Sequence, residues 1–276
     1  MSLTLRAVAM TDIGRIRQNN EDSMYAGSQL LVVADGIGGG PAGELASDIV
    51  IRALSPLEEA SHTDEASDPT SELLAALEVA NRDIRQAVAE DPSRAGMGTT
   101  VTAILLVSDR IFLLHVGDSR AYLLRDDELQ RLTRDDTFVQ DLVDQGLLTA
   151  EEARHHPRRS LITRAVHGNS QMKVTCRELA PQVADRLLLC SDGLSDVVTD
   201  ETIATLLRSH PDRKECARQL VDAALESGGP DNITVVIADV VEVDDSSTTA
   251  ETVSPSEADA ADAPDSPGHS SEATGP

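Results

Sequence analysis

Leu30-Leu31-Val32-Val33-Ala34 is an apolar run with no polar break, and it stops at Asp35-Gly36, followed by Ile37-Gly38-Gly39-Gly40. A short continuous apolar run bounded by turn signals predicts a strand buried on both faces. A carboxylate at the end of such a strand is costly unless something pairs with it. Glycine lets the backbone turn tightly and lets a ligand approach a bare carbonyl. The same grammar recurs along the chain. Leu187-Leu188-Leu189-Cys190 runs into Ser191-Asp192-Gly193, and Ile111 to Val116 runs into Gly117-Asp118. Gly228-Gly229-Pro230-Asp231-Asn232 precedes the apolar stretch Ile233 to Val240. One strand followed by Asp-Gly is readable as a plain turn. Three strand-ending aspartates and one entering aspartate point instead to a metal or phosphate site. In an antiparallel sheet the exit of one strand and the entrance of its neighbour share an edge, so these positions can converge.

The stretches between these points set the fold class. Ser2 to Ile13 alternates well enough for a strand, and Gly14 to Ser23 reads as a polar loop with Arg17 four residues before the pair Glu21-Asp22. Gly43 to Leu54 and Ser71 to Glu90 predict helices, the second capped by Thr70 or Ser71 and stopped at Asp91-Pro92. Pro56 to Pro69 is an acidic loop. Gly96 to Thr133 holds short β-rich runs at meander spacing, which predicts a largely antiparallel sheet. Residues 135–164 are polar and helical in tendency, an insertion expected to lie over a site as a flap. Its His155-His156 pair reads as surface. Met172 to Leu179 and Arg186 to Cys190 predict strands. Thr199 or Asp200 caps a helix through Arg208, Pro211 to Ser227 is another helix, and Ile233 to Val240 is the last strand. Residues 242–276 contain no Lys or Arg and little that is apolar, so a disordered acidic tail is expected beyond a domain over 1–241.

The formal net charge of −25 argues against nucleic-acid and anionic-membrane partners, both of which select basic patches. An anionic substrate would need local positive charge. No apolar run reaches membrane-spanning length, and the N-terminus lacks the pattern of a signal peptide. Cys176, Cys190 and Cys216 have no CxxC spacing and suggest neither a disulfide framework nor a zinc ribbon. A cytoplasmic monomer is the expectation.

Clustered carboxylates repel unless cations intervene. Oxygen-only ligation suits Mn²⁺ or Mg²⁺ rather than Zn²⁺. Two such ions sharing a carboxylate can acidify a water and neutralise a phosphate, with Arg17 as the natural fork for its oxygens.

Arg17-x-x-x-Glu21-Asp22, Asp35-Gly36-x-Gly38-Gly39, Gly98-Thr99-Thr100, Gly117-Asp118-Ser119-Arg120, Ser191-Asp192-Gly193 and Gly229-Pro230-Asp231-Asn232 occur in the order of the metal-dependent protein phosphatases, the PPM or type 2C family. The resemblance covers about Leu5 to Val240. Asp135 to Gln140 and Arg159-Ser160-Leu161 resemble the catalytic part of the PstP-type phosphatases of actinobacteria, which oppose Ser/Thr kinases. The resemblance implies an α+β fold, an αββα sandwich of two antiparallel sheets flanked by helices. It also implies two or three Mn²⁺ or Mg²⁺ ions. Asp35 would bridge two of them, the Gly36 carbonyl would bind the second, and Asp192 and Asp231 the first. Asp118, with Asp192 and the flap residue Ser160, would hold a third. Glu21 would reach the second ion through water, and Arg17 would clamp the phosphate. The implied activity is hydrolysis of phosphoserine and phosphothreonine in proteins, with Ser/Thr kinases and their substrates as partners. Ile37 stands where many eukaryotic members carry a histidine, so the leaving-group proton has no assigned donor. A hydrolase for small phosphate esters or an anti-sigma-factor regulator, and a non-catalytic phosphoprotein-binding module, are the alternatives.

Overall fold

The computed structural model describes residues 2–37, 41–60, 68–169 and 172–243. Gly38 to Gly40 of the opening motif, positions 61–67 of the acidic loop and the tail from 244 lie outside the described residues. In chain order the strands are β1 (Leu3–Asp12), β2 (Asp22–Ala26), β3 (Leu30–Ile37), β4 (Gly98–Thr99), β5 (Val101–Val107), β6 (Arg110–Val116), β7 (Arg120–Arg125), β8 (Glu128–Arg131), β9 (Thr175–Leu179), β10 (Arg186–Cys190) and β11 (Ile233–Glu242). The helices are α1 (Pro41–Leu54), α2 (Pro69–Glu90), α3 (Phe138–Asp144), α4 (Ala150–Arg154), the single turn α5 (Asp192–Ser195), α6 (Asp200–Ser209) and α7 (Arg213–Glu226).

The strands form two antiparallel sheets. One runs β1-β11-β10-β7-β8; the other runs β2-β3-β5-β6-β9, with β4 continuing the register of β5 along β3. Period-2 alternation sorts each central strand into two apolar faces. Leu31 and Val33 of β3 meet Leu187 and Leu189 of β10 and Val236 and Ala238 of β11 between the sheets. Leu30, Val32 and Ala34 face α1 and α2. Leu188, Cys190, Val235 and Ile237 face α6 and α7. The result is the expected αββα sandwich.

Several boundaries differ from the sequence reading. α2 starts at Pro69, because Asp68 is its cap: the carboxylate accepts from the Thr70 and Ser71 amides at 3.2 and 3.3 Å, and Pro69 at the first position needs no acceptor. β11 runs on to Glu242, since Leu3 pairs with it at the start of β1. β9 begins at Thr175; Met172 and Val174 pack on the helix-side core without joining a ladder. β2 was not foreseen at all, and it begins at Asp22, inside what reads as a polar loop. His155 does lie exposed on the insertion, where it meets Glu151 one turn earlier, while His156 is half-buried near Phe138. Among the described residues no helix is long and apolar enough to cross a membrane.

Leu189 is fully buried between the sheets, so Leu189→Ala should lower unfolding free energy by about 2–5 kcal/mol. The urea midpoint should fall with little change in slope.

Candidate active site

The aspartates gather at one end of the sandwich. β2 and β3 pair so that Asp22 stands opposite Asp35, and Asp35 shares the inter-sheet parity of Leu31 and Val33. Asp22 then reaches across to the other sheet: its Oδ2 accepts from Ser191 Oγ at 2.8 Å. Ser191 is itself fixed, donating its amide to the Thr234 carbonyl and accepting the Thr234 amide on Oγ, both at 3.0 Å. Asp192 therefore leaves β10 directly beside the start of β11, as the first residue of α5. A side chain at Gly193 would overlap the Asn232 carbonyl, so only glycine lets this turn close against the turn that carries Asp231.

Asn232 builds the other wall. Its amide Nδ2 donates to the carbonyls of Ile13 and Asn19 at 3.0 and 2.9 Å, and its Oδ1 accepts from the Glu21 amide at 2.8 Å. One side chain thus pins the loop that holds Arg17. Arg17 Nη2 lies 2.7 Å from Asp231 Oδ2, and both groups stay partly open to solvent. Glu21 is buried against the first turn of α1, where a side chain at Gly43 would overlap its carboxylate and one at Gly36 would overlap the Gly43 and Glu21 carbonyls. Glu21, Gly36 and the helix start are thereby packed backbone to backbone. Thr100 holds Asp35 in place, its Oγ1 accepting the Asp35 amide at 3.0 Å, while Thr99 Oγ1 donates to the Asp35 carbonyl at 2.8 Å.

The electrostatics follow from burial and like charge. Burial pushes Asp35 well above the carboxylate range, and Asp22, Asp192, Asp118 and Asp231 all push the same way. Asp192 rises likewise, through burial and then Asp118, Asp196, Asp231 and Asp22. Burial raises Asp22 to about 7, against hydrogen bonds from Thr234 and Ser191. Asp118 also rises to about 7, through burial and then Asp135 and Asp196. Among the described residues no three acidic, histidine or cysteine side chains are placed together so as to hold a metal ion. The donor set nonetheless suits hard divalent cations: all oxygens, with Asp22 Oδ1, Asp118 Oδ1 and Asp192 Oδ1 buried and without a hydrogen-bond partner.

A cavity of about 310 Å³ opens beside Asp118 under the insertion. Val139, Val143 and Ala153 of the insertion form its roof, and Asp118, Ser195 and Asp196 its floor. Ser160 is not part of it. The short turn 158–161 carries Ser160 to the exposed side, where it borders a separate depression with Ile37, Gly98 and His167. Among the described residues no hydrogen bond joins Ser160 to Asp118, and Asp196, one helical turn after Asp192, lies beside Asp118. Asp22 and Asp196 are the acidic groups sequence reasoning passed over. The signals were the second carboxylate of Glu21-Asp22, and the four-residue spacing of Asp192 and Asp196.

A family model described as protein phosphatase 2C matches residues 15–227. The chain belongs to the protein phosphatase 2C family. It is 51% identical over 249 residues to the serine/threonine protein phosphatase PstP of Mycobacterium tuberculosis, a match covering 88% of this chain and 46% of that protein. The chain thus spans about half the length of that relative. To the serine/threonine phosphatase stp of Listeria innocua it is 33% identical over 241 residues, covering 85% of this chain and 96% of that one. Among solved structures, the catalytic domain of PstP in complex with two manganese ions superposes with a TM-score of 0.80 at 50% identity, covering 87% of this chain and all of that one. Membership in the protein phosphatase 2C family accords with the sandwich, with the aspartates at its edge and with Arg17 beside them.

The raised carboxylates make a signed prediction. An acid whose folded pKa exceeds its unfolded value destabilises the fold above the unfolded pKa, and the penalty grows until pH passes the folded pKa. In chelator, the melting temperature should therefore rise as pH falls from 8 to 6.5, above the range where buried His115, whose pKa is lowered, begins to oppose it. Added Mn²⁺ should raise the melting temperature more at pH 8 than at pH 6.5. A flat chelated profile would contradict this charge cluster.

Proposed function

We propose that the chain is a metal-dependent protein serine/threonine phosphatase that hydrolyses phosphoserine and phosphothreonine by direct attack of water, without a phosphoenzyme. The observation that carries this reading is the convergence of Asp35, Asp192 and Asp231 from three chain-distant strand ends, with Arg17 at 2.7 Å from Asp231. Asp35, the Gly36 carbonyl, Asp192 and Asp231 would hold Mn²⁺ or Mg²⁺, with Glu21 on the Gly36 side and Asp118 on the flap side. Such ions, when bound, neutralise the phosphate and acidify the attacking water.

The chain's own groups do the rest. Arg17 presents a planar fork that pairs with two phosphate oxygens; its partial exposure leaves it free to exchange Asp231 for a phosphate. Asp22, opposite Asp35 in register and tied through Oδ2 to Ser191 Oγ, holds the Asp35 strand end against the Ser191-Asp192 turn. The apolar sandwich below excludes bulk water from the deep side of the site.

Phosphorylated proteins, among them Ser/Thr kinases and their substrates, are the partners we assign, in cytoplasmic signalling and with the chain acting as a monomer. Three free cysteines support a reducing compartment. The net charge of −25 supports the absence of nucleic-acid and membrane partners.

The test is phosphate release from a phosphothreonine peptide with Mn²⁺ and then with excess chelator. Release should appear with the ion and vanish with the chelator. Asp35→Asn should abolish turnover while keeping the far-ultraviolet spectrum of the parent. Arg17→Ala should raise KM for the peptide by roughly 10- to 100-fold, the loss expected for a charged hydrogen-bonding pair. No release despite measured ion binding would contradict the phosphatase reading.

A further inference from the structure

Asp136 is 2% exposed, and it stands at the point where the insertion leaves the sandwich. It is bound on every side. Its amide donates to the Gly117 carbonyl at 2.7 Å, and its Oδ2 accepts the Gly117 amide at 3.1 Å. Gly117 immediately precedes Asp118. The Asp136 carbonyl accepts the Thr163 amide at 2.7 Å, and Oδ1 pairs with Arg164 Nη1 at 3.0 Å. Thr163 and Arg164 are where the insertion returns. One residue thus joins both roots of the flap to the turn that carries Asp118.

The neighbouring contacts extend the same clamp. Thr137 bridges Ile162, and the Phe138 amide donates to the Leu161 carbonyl at 2.8 Å. The roots therefore zip together for a few residues before α3 begins. On the sandwich side, Ser119 continues the line: its Oγ lies 2.8 Å from Thr100 Oγ1, the group that accepts the Asp35 amide. Asp136, Gly117, Ser119, Thr100 and Asp35 form one connected path from flap root to site. The preceding residue, Asp135, is held separately by a forked pair with Arg120, while Arg134 Nη1 lies 3.8 Å from Asp136 Oδ1, a weaker partner than Arg164.

We propose that Asp136 is a positioning residue, which rivets both roots of the flap to the Gly117-Asp118 turn and so fixes how the flap meets a phosphorylated protein. The proposal rests on the phosphatase reading for its substrate and on geometry alone for the rivet. The ion pair with Arg164 is the part that can be removed without disturbing the Gly117 contacts, since Arg164 is 40% exposed.

The experiment compares the parent chain with Arg164→Ala, Arg164→Lys, Asp136→Asn and the double variant Asp136→Asn with Arg164→Ala. The Asp136→Asn side chain would keep an acceptor for Gly117 and lose the charge for Arg164. Hydrogen exchange of amides 138–161 should quicken by roughly tenfold in Arg164→Ala and in Asp136→Asn, the loss expected for one charged hydrogen bond. The double variant should be no faster than either single one, and Arg164→Lys should return toward the parent. In Arg164→Ala, KM for a phosphothreonine peptide should rise several-fold while kcat for a small aryl phosphate stays at the parent value. Unchanged exchange in the insertion would overturn the rivet. So would faster exchange spread evenly over both sheets, which would mean general destabilisation. Exchange needs no turnover: a parent chain that releases no phosphate would sink the phosphatase reading and leave the rivet to be judged on exchange.

Discussion

Several buried carboxylates at one end of an apolar sandwich are the constraint on which the rest of the molecule depends. Desolvation and mutual repulsion both act against their charged forms, and Asp35 at the centre feels four others. A fold can hold such a cluster only if stronger packing lies beneath it. Here three apolar layers supply that packing, two under the helices and one between the sheets. Divalent cations would reverse the sign of the interaction, turning repulsion into attraction at the same positions. Stability and ion binding are therefore linked through the same oxygens.

The same constraint explains how an acidic chain can handle an anion. With a net charge of −25, long-range attraction for phosphate is absent. Positive charge must be local. Arg17 supplies it at the mouth, and its position is set by the Asn232 clamp on the loop that bears it. Asn232 follows Asp231 directly, so the residue that orders the arginine is covalently tied to the residue the arginine contacts. Glycine completes this economy of space: the backbones at Gly36 and Gly193 approach their neighbours more closely than any side chain permits.

Much of this was legible in the sequence, and the parts that were not share a cause. β3 and β10 announce themselves because both faces of each strand are buried, which leaves an unbroken apolar run. Asp35, Asp118, Asp192 and Asp231 were found because each interrupts or adjoins such a run. β2 has no such signal. Asp22-Ser23-Met24-Tyr25-Ala26 is half-buried, polar at its start and only five residues long. Its strand character comes from pairing with β3, which is a tertiary effect. Asp22 was hidden with it, although register alone sets it opposite Asp35. Asp196 was missed for a different reason: Asp192 to Ser195 is a single helical turn, too short to show periodicity. Ser160 was placed by resemblance, and it sits exposed on the turn closed by the Leu161 amide and the Arg158 carbonyl. The Asp68 cap was displaced by two or three residues because Pro69 looks like loop until its place at the helix start is known.

The alternation that makes the core also decides where chemistry can occur. On β3 the odd residues face the other sheet and the even ones face helices, so every interior position on both faces is apolar. A charged group has room only where the alternation stops. In an antiparallel sandwich those stopping points lie together at an edge, whatever their distance in sequence. Strand length and register thus bring Asp35, Asp192 and Asp231 to one edge, and the close turns at Gly36 and Gly193 complete the approach. What register does not supply is a cover, because an edge is open to solvent by construction. The insertion at 135–164 supplies it, and a cover of that kind must be attached to the rigid ladders near the site itself. Gly117 is the last residue before Asp118 and the first after β6, so fastening there couples the cover to a site carboxylate through the shortest available path.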